Sequence, residues 1–158
     1  MVINLVTGIN NTPKVCFDLS RSIDLHKIST AHTKEKAIAG CTSGLIGLNE
    51  FVTWEAIHFG VKMHLTTKIT EYDFPFHFRD EQIKGAFRYM KHDHYFETDG
   101  ERTIMKDVFE FASPVGWIGK AVDNLIMKRY LTKLLIRRNA AIKEYAENGK
   151  WKTLLHKY

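Results

Sequence analysis

The sequence lacks the features by which many enzymes and secreted domains are recognised. Its 158 residues include two cysteines, Cys16 and Cys41, and these do not form a CxxC pair. Two isolated cysteines do not make a disulfide framework, so we expect both to be reduced thiols. The chain contains no nucleophile motif, no phosphate-binding loop and no firm metal-ligand motif. Local motifs alone therefore assign no reaction to it.

Long hydrophobic runs are also missing. No stretch approaches the roughly 20 apolar residues that span a bilayer, and the first residues lack the basic start and apolar centre of a signal peptide. We therefore expect a cytoplasmic protein. At 44% hydrophobic and 26% charged residues the composition is that of an ordinary globular protein, and the length predicts a single domain over residues 1–158.

The net charge of +5 is concentrated near the C-terminus, where residues 114–158 contain ten Lys and Arg against three Asp and Glu. We interpret this basic face as the solvated side of an amphipathic helix. No nucleic-acid-binding motif accompanies it, so we expect no nucleic-acid partner. Docking to an anionic membrane or an acidic partner is the alternative. The basic residues are Lys128, Arg129, Lys133, Arg137, Arg138, Lys143, Lys150, Lys152 and Lys157.

The middle of the chain predicts five consecutive β-strands. Aromatic and β-branched residues dominate 51–59, 63–71, 76–82, 87–97 and 102–111, and glycine, proline and aspartate separate these segments. The Asp99-Gly100 pair is the strongest hairpin signal among them. Because the connections are too short for parallel crossovers, we predict an antiparallel meander.

Helices flank this predicted sheet. A strand over residues 2–8 is followed by a helix that starts at Pro13 and runs through about Ser20, a second helix through about Ser29, and a short strand within 34–49. Ser113 and Pro114 predict the start of a long helix over about 114–147, which Asn148-Gly149 ends. The pattern predicts an α+β fold with a curved antiparallel sheet and a long C-terminal helix.

Alternation along the predicted strands mixes polar with aromatic side chains on one face. A buried polar group without a partner costs about 1–3 kcal/mol, so these groups must pair with each other, with water or with a ligand. The side chains that share this face are Val52, Trp54, Ala56 and His58; His92, His94 and Phe96; and Thr103, Met105, Asp107, Phe109 and Phe111.

The order of elements and several segments resemble the START-like superfamily, also called SRPBCC, and within it the bacterial polyketide cyclase/dehydrase-like proteins. The resemblance spans about residues 12–147 and is carried by GLIGLNEFVTWEAIH at 44–58, GAFRYMKHDH at 85–94 and TIMKD at 103–107, with further matches at 68–71, 78–82, 113–116 and 129–139. Gly40, Gly44 and Gly47 depart from the compact glycine-rich loop of the plant pathogenesis-related members, which weakens a hormone-receptor interpretation.

The resemblance implies a helix-grip fold with a cavity between the sheet and the C-terminal helix. We expect this cavity to bind a hydrophobic or amphipathic small molecule, such as a lipid, a quinone or a polyketide-like compound, without catalysis. The expected ligand-binding residues combine an aromatic lining with a few polar groups. They are Trp54, His58, His92, His94, Phe96, Met105, Asp107, Phe109, Glu50, Asp80 and His26, of which His26 and Glu50 would lie at the rim.

Two chemical alternatives concern the histidines. His94 and Asp107 fall nearly opposite each other across the Asp99-Gly100 turn, either as the acid–base pair of a cyclase or dehydratase or as a structural bridge, which we prefer. His92 and His94 would also suit a metal, with His58, Asp107 or Glu50 as third ligand. We expect hydrogen-bonded histidines instead, with no metal and no other cofactor.

Overall fold

Residues 1–112 and 126–156 are described in the computed structural model of the chain. Seven strands form one antiparallel sheet with the order β1-β7-β6-β5-β4-β3-β2. The strands are β1 (Val2–Ile9), β2 (Lys36–Gly40), β3 (Phe51–His58), β4 (Val61–Asp73), β5 (His77–Lys84), β6 (Tyr89–Asp99) and β7 (Arg102–Ala112), and the helices are α1 (Pro13–Ser20), α2 (Ile23–Ser29), α3 (Lys128–Glu147) and α4 (Lys150–Leu155).

The predicted meander from β3 to β7 is confirmed. At its last turn Gly100 has a φ of 60°, a conformation that glycine adopts without steric cost, and β6 runs directly into β7. The resulting register places His94 opposite Asp107, as the residue count predicted. Strand β1 closes the sheet by pairing with β7, a long-range contact that the local pattern did not indicate.

The two N-terminal helices pack over one part of the concave face of the sheet. Thr12 caps α1 by accepting a hydrogen bond from the backbone N–H of Val15, and Pro13 occupies the first turn. Phe17 of α1 is fully buried against Phe78 and Phe96 of the sheet. These helices therefore fill part of the concavity and leave the remainder to α3.

The long helix α3 packs against the concave face of the sheet. In α3, Leu131, Leu135 and Ile142 are buried, and Gly149 with a φ of 80° ends the helix where Asn148-Gly149 predicted. The predicted start near Pro114 lies outside the described residues. The short helix α4 was not predicted. No helix in the described ranges combines the length and apolar character needed to cross a membrane.

Candidate functional site

A cavity of about 290 Å³ lies between the concave face of the sheet and α3. It is near the lower end of the usual size of small-molecule sites. Apolar side chains from both elements form most of its wall, and two groups of polar side chains interrupt them. The apolar lining includes Val52, Trp54, Ala56, Ile69, Phe78, Met90, Phe109, Leu131, Leu134 and Leu135.

The first polar group lies where α2, β3 and α3 meet. The His26 ring stacks on Trp54 with ring centroids 4.2 Å apart, and its Nε2 lies 3.2 Å from Glu35 Oε1. His58 Nδ1 and the Tyr130 hydroxyl form a 2.5 Å hydrogen bond between β3 and α3. Burial raises the pKa of Glu35, but the neighbouring His26 more than offsets this and the pKa is lowered. Burial lowers the pKa of His58.

The second polar group is centred on Asp107, whose side chain is 1% exposed. Its Oδ1 accepts a hydrogen bond from His92 Nε2 at 3.0 Å, and its Oδ2 accepts one from Asn139 Nδ2 at 2.7 Å. His94 Nδ1 also lies 2.9 Å from Oδ1, but without the angle of a good hydrogen bond. We therefore take His92 and Asn139 as the donors to Asp107, and His94 as a close electrostatic neighbour.

Burial and these contacts set the charges of the second group. Burial alone would raise the pKa of Asp107, but the hydrogen-bonding and electrostatic effects of His92 and His94 hold it well below its usual range. Burial lowers the pKa of His94 well below its usual value, and His92 and Arg138 add to the effect. Asp107 is therefore a carboxylate and His94 a neutral imidazole near pH 7.

Arg138 belongs to this group and not to the basic face, which corrects the sequence interpretation. It is 8% exposed and lines the cavity. Its Nη2 donates to the Ser20 carbonyl at 2.6 Å, and its Nη1 lies 3.4 Å from His94 Nε2. Lys128, Arg129, Lys133 and Arg137 are exposed on the other side of α3.

Comparison with solved structures finds several proteins of similar fold. The structure is similar to a START superfamily protein from Mycobacterium smegmatis, with a TM-score of 0.68, 9% identity and coverage of 92% of this chain and 96% of that chain. The chain has the START-like helix-grip fold. For the Zhui aromatase/cyclase from Streptomyces sp. R1128 the TM-score is 0.70, the identity 11% and the coverage 92% and 93%. For ginseng major latex-like protein 151 from Panax ginseng the TM-score is 0.66 and the identity 15%, with coverage of 92% of this chain and 97% of that chain.

The sequence itself gives no comparable match. No protein-family model matches it, and no curated protein matches it at the sequence level. The START-like resemblance predicted from the residues is confirmed by the structures, and at identities of 9–16% the likeness concerns the fold.

The START-like scaffold brings six of the predicted ligand-binding residues to the cavity wall. They are His26, Trp54, His58, Asp80, His92 and Phe109. The other five do not line the cavity. His94 and Asp107 lie in the buried polar group, Phe96 and Met105 are packed in the core around Phe17, and Glu50 is exposed in a turn where it accepts a hydrogen bond from the Gly47 N–H at 2.6 Å.

Several cavity residues were missed by the sequence analysis. Arg138 is the most informative, because Leu131, Leu135 and Ile142 are buried on the same helix and residue 138 continues their i, i+4, i+7 spacing. That spacing was a usable signal, and the charge of arginine obscured it. The other missed residues include Glu35, Phe78, Met90 and Tyr130.

Proposed function

We propose that this protein binds a hydrophobic or amphipathic small molecule in the cavity between the sheet and α3, and does not transform it. The main observation that supports this proposal is the cavity itself. Its volume of about 290 Å³ equals roughly ten water molecules at ~30 Å³ each. Its lining is mostly apolar with a few placed polar groups, which is the usual make-up of a small-molecule site. A lipid, a quinone or a polyketide-like compound of small size remains the predicted ligand class.

The placement of His94 and Asp107 supports binding over catalysis. The acid–base alternative needs both side chains to reach a substrate, and His94 is 0% and Asp107 1% exposed. Neither lines the cavity. The His92–Asp107 hydrogen bond links β6 to β7 with His94 packed beside it, so a cyclase or dehydratase reaction at His94 and Asp107 is the weaker candidate. Docking through the basic face and a cytoplasmic location stay predictions.

Filling the cavity should abolish binding while the fold is retained. Ala56 is buried on the wall, so Ala56→Phe places a ring where the ligand would lie. We expect wild-type protein to bind decanoate or 1-decanol with saturable 1:1 stoichiometry in isothermal titration calorimetry. Ala56→Phe should weaken binding at least about tenfold, or about 1.4 kcal/mol.

The matched control is Ile57→Phe, which introduces the same ring one residue along β3 on the exposed outer face. It should bind as the wild type does, and circular dichroism should show both variants folded. Equal affinities in all three proteins, or no saturable binding by the wild type, would contradict the proposal.

A further inference from the structure

Three side chains converge at the wall of the cavity in the arrangement of a metal site. Asp80 Oδ1 lies 3.7 Å from His92 Nδ1 and 3.9 Å from His94 Nε2, and all three atoms lie within 4.8 Å of one another. Zinc bonds of about 2.0–2.2 Å place tetrahedral ligands about 3.4 Å apart. The two distances from Asp80 Oδ1 exceed this separation by 0.3 and 0.5 Å, so small side-chain movements would bring Asp80 and each histidine within range of one ion.

On the side away from Asp80, a ring nitrogen of each histidine lies close to the carboxylate of Asp107. His92 Nε2 donates to Asp107 Oδ1 at 3.0 Å, and His94 Nδ1 lies 2.9 Å from the same oxygen. A carboxylate behind a histidine fixes the ring and leaves the lone pair of its other nitrogen free for a metal. Asp107 does this for His92, and the ring nitrogens nearest to Asp80 are His92 Nδ1 and His94 Nε2.

Among the three atoms that face one another, Asp80 Oδ1 lacks a hydrogen-bond donor in the described part of the chain. The nearest atom of His92 to this buried oxygen is Nδ1, which is an acceptor because the other ring nitrogen, Nε2, donates to Asp107. Acceptors that face one another without a donor are destabilising. The long 3.4 Å contact from Arg138 Nη1 reaches His94 Nε2 alone.

The charges of this group also favour a cation. Asp80 and Asp107 bring two carboxylates, and Arg138 brings one buried guanidinium, which donates to the Ser20 carbonyl. The two carboxylates outnumber the one guanidinium, and a divalent ion would add positive charge beside them.

We propose that Asp80, His92 and His94 bind a divalent transition-metal ion of the Zn²⁺ or Fe²⁺ class. Two imidazoles and one carboxylate are the donor set that these ions accept, and calcium and magnesium prefer oxygen ligands. Asp80 replaces the third ligands that the sequence suggested, His58, Asp107 or Glu50. Because Asp80 and His92 line the cavity, a remaining coordination position faces it and would take an oxygen atom of the bound molecule.

Cobalt titration tests this site directly. EDTA-treated, desalted protein is titrated with CoCl₂ while visible d–d absorption is recorded, and then with ZnSO₄ in competition. We expect one Co²⁺ ion to bind per protein molecule through nitrogen and oxygen ligands. Zn²⁺ should displace this Co²⁺. Asp80→Asn, which alters a partly exposed side chain and should leave the fold intact, is expected to weaken metal binding at least about a hundredfold, and His92→Gln likewise.

Two control variants separate this site from adventitious binding. His64→Gln changes an exposed histidine on β4, and His77→Gln changes the second cluster of possible ligands, Glu71, His77 and Asp93, on the outer face. Both should bind Co²⁺ as the wild type does. No stoichiometric complex in the wild type, or a complex that Asp80→Asn retains and His77→Gln loses, would overturn the proposal.

Discussion

Asp107→Asn is expected to lower the free energy of unfolding by about 3 kcal/mol. The carboxylate accepts hydrogen bonds from His92 and Asn139 and lies beside His94 Nδ1. An asparagine has one acceptor oxygen and presents an NH₂ group to at least one of these donors. The variant therefore loses a charge-assisted bond and leaves a buried donor without a partner.

Urea denaturation followed by circular dichroism measures this loss. Asp99→Asn is the matched control, since Asp99 lies in the same hairpin but pairs with Arg102 at the surface, and it should change stability by less than about 1 kcal/mol. If Asp107→Asn were as stable as the wild type, the structural bridge would be wrong.

Phe17→Ala is expected to cost about 3–5 kcal/mol, the usual range for a fully buried phenylalanine. Its ring is 0% exposed and touches four aromatic rings, those of Tyr72, Phe74, Phe78 and Phe96. Truncation would leave a cavity that these rings cannot fill without leaving their own contacts. Because this ring packs α1 against β4, β5 and β6, the loss should weaken the attachment of α1 to the sheet.

The same urea experiment checks this prediction, with Phe76→Ala as the control. Phe76 is 54% exposed, so its truncation should have an effect of under about 1 kcal/mol. A similar stability loss for both variants would mean that the aromatic cluster does not anchor α1.

Much of the fold could be predicted because the information is local. The strands β3 to β7 follow one another through short turns, and in such a meander the turn fixes the register. Gly100 at the β6–β7 turn thus sets His94 opposite Asp107. The pairing of β1 with β7 brings residues together that are about a hundred positions apart, and no local pattern encodes that choice.

The site was less predictable because it depends on how separate elements face each other. Trp54 and His92 follow from alternation within one strand, but Arg138 reaches the cavity only through the rotation of α3 about its axis. Phe78 was missed because it lies in β5, where charged residues on both faces hide the alternation. Glu50 was predicted to lie at the rim because it is near the edge of the sheet, and the turn before β3 directs it to solvent.

Intermolecular nuclear Overhauser effects between ¹³C-labelled decanoate and the protein test most directly whether the cavity is the binding site. We predict contacts from the ligand chain to Trp54, Phe109 and Leu131, which line the cavity on the sheet and on α3. These contacts should disappear in Ala56→Phe. Contacts confined to exposed outer residues such as Phe76 and Ile83, or none at saturating ligand, would contradict binding between the sheet and the helix.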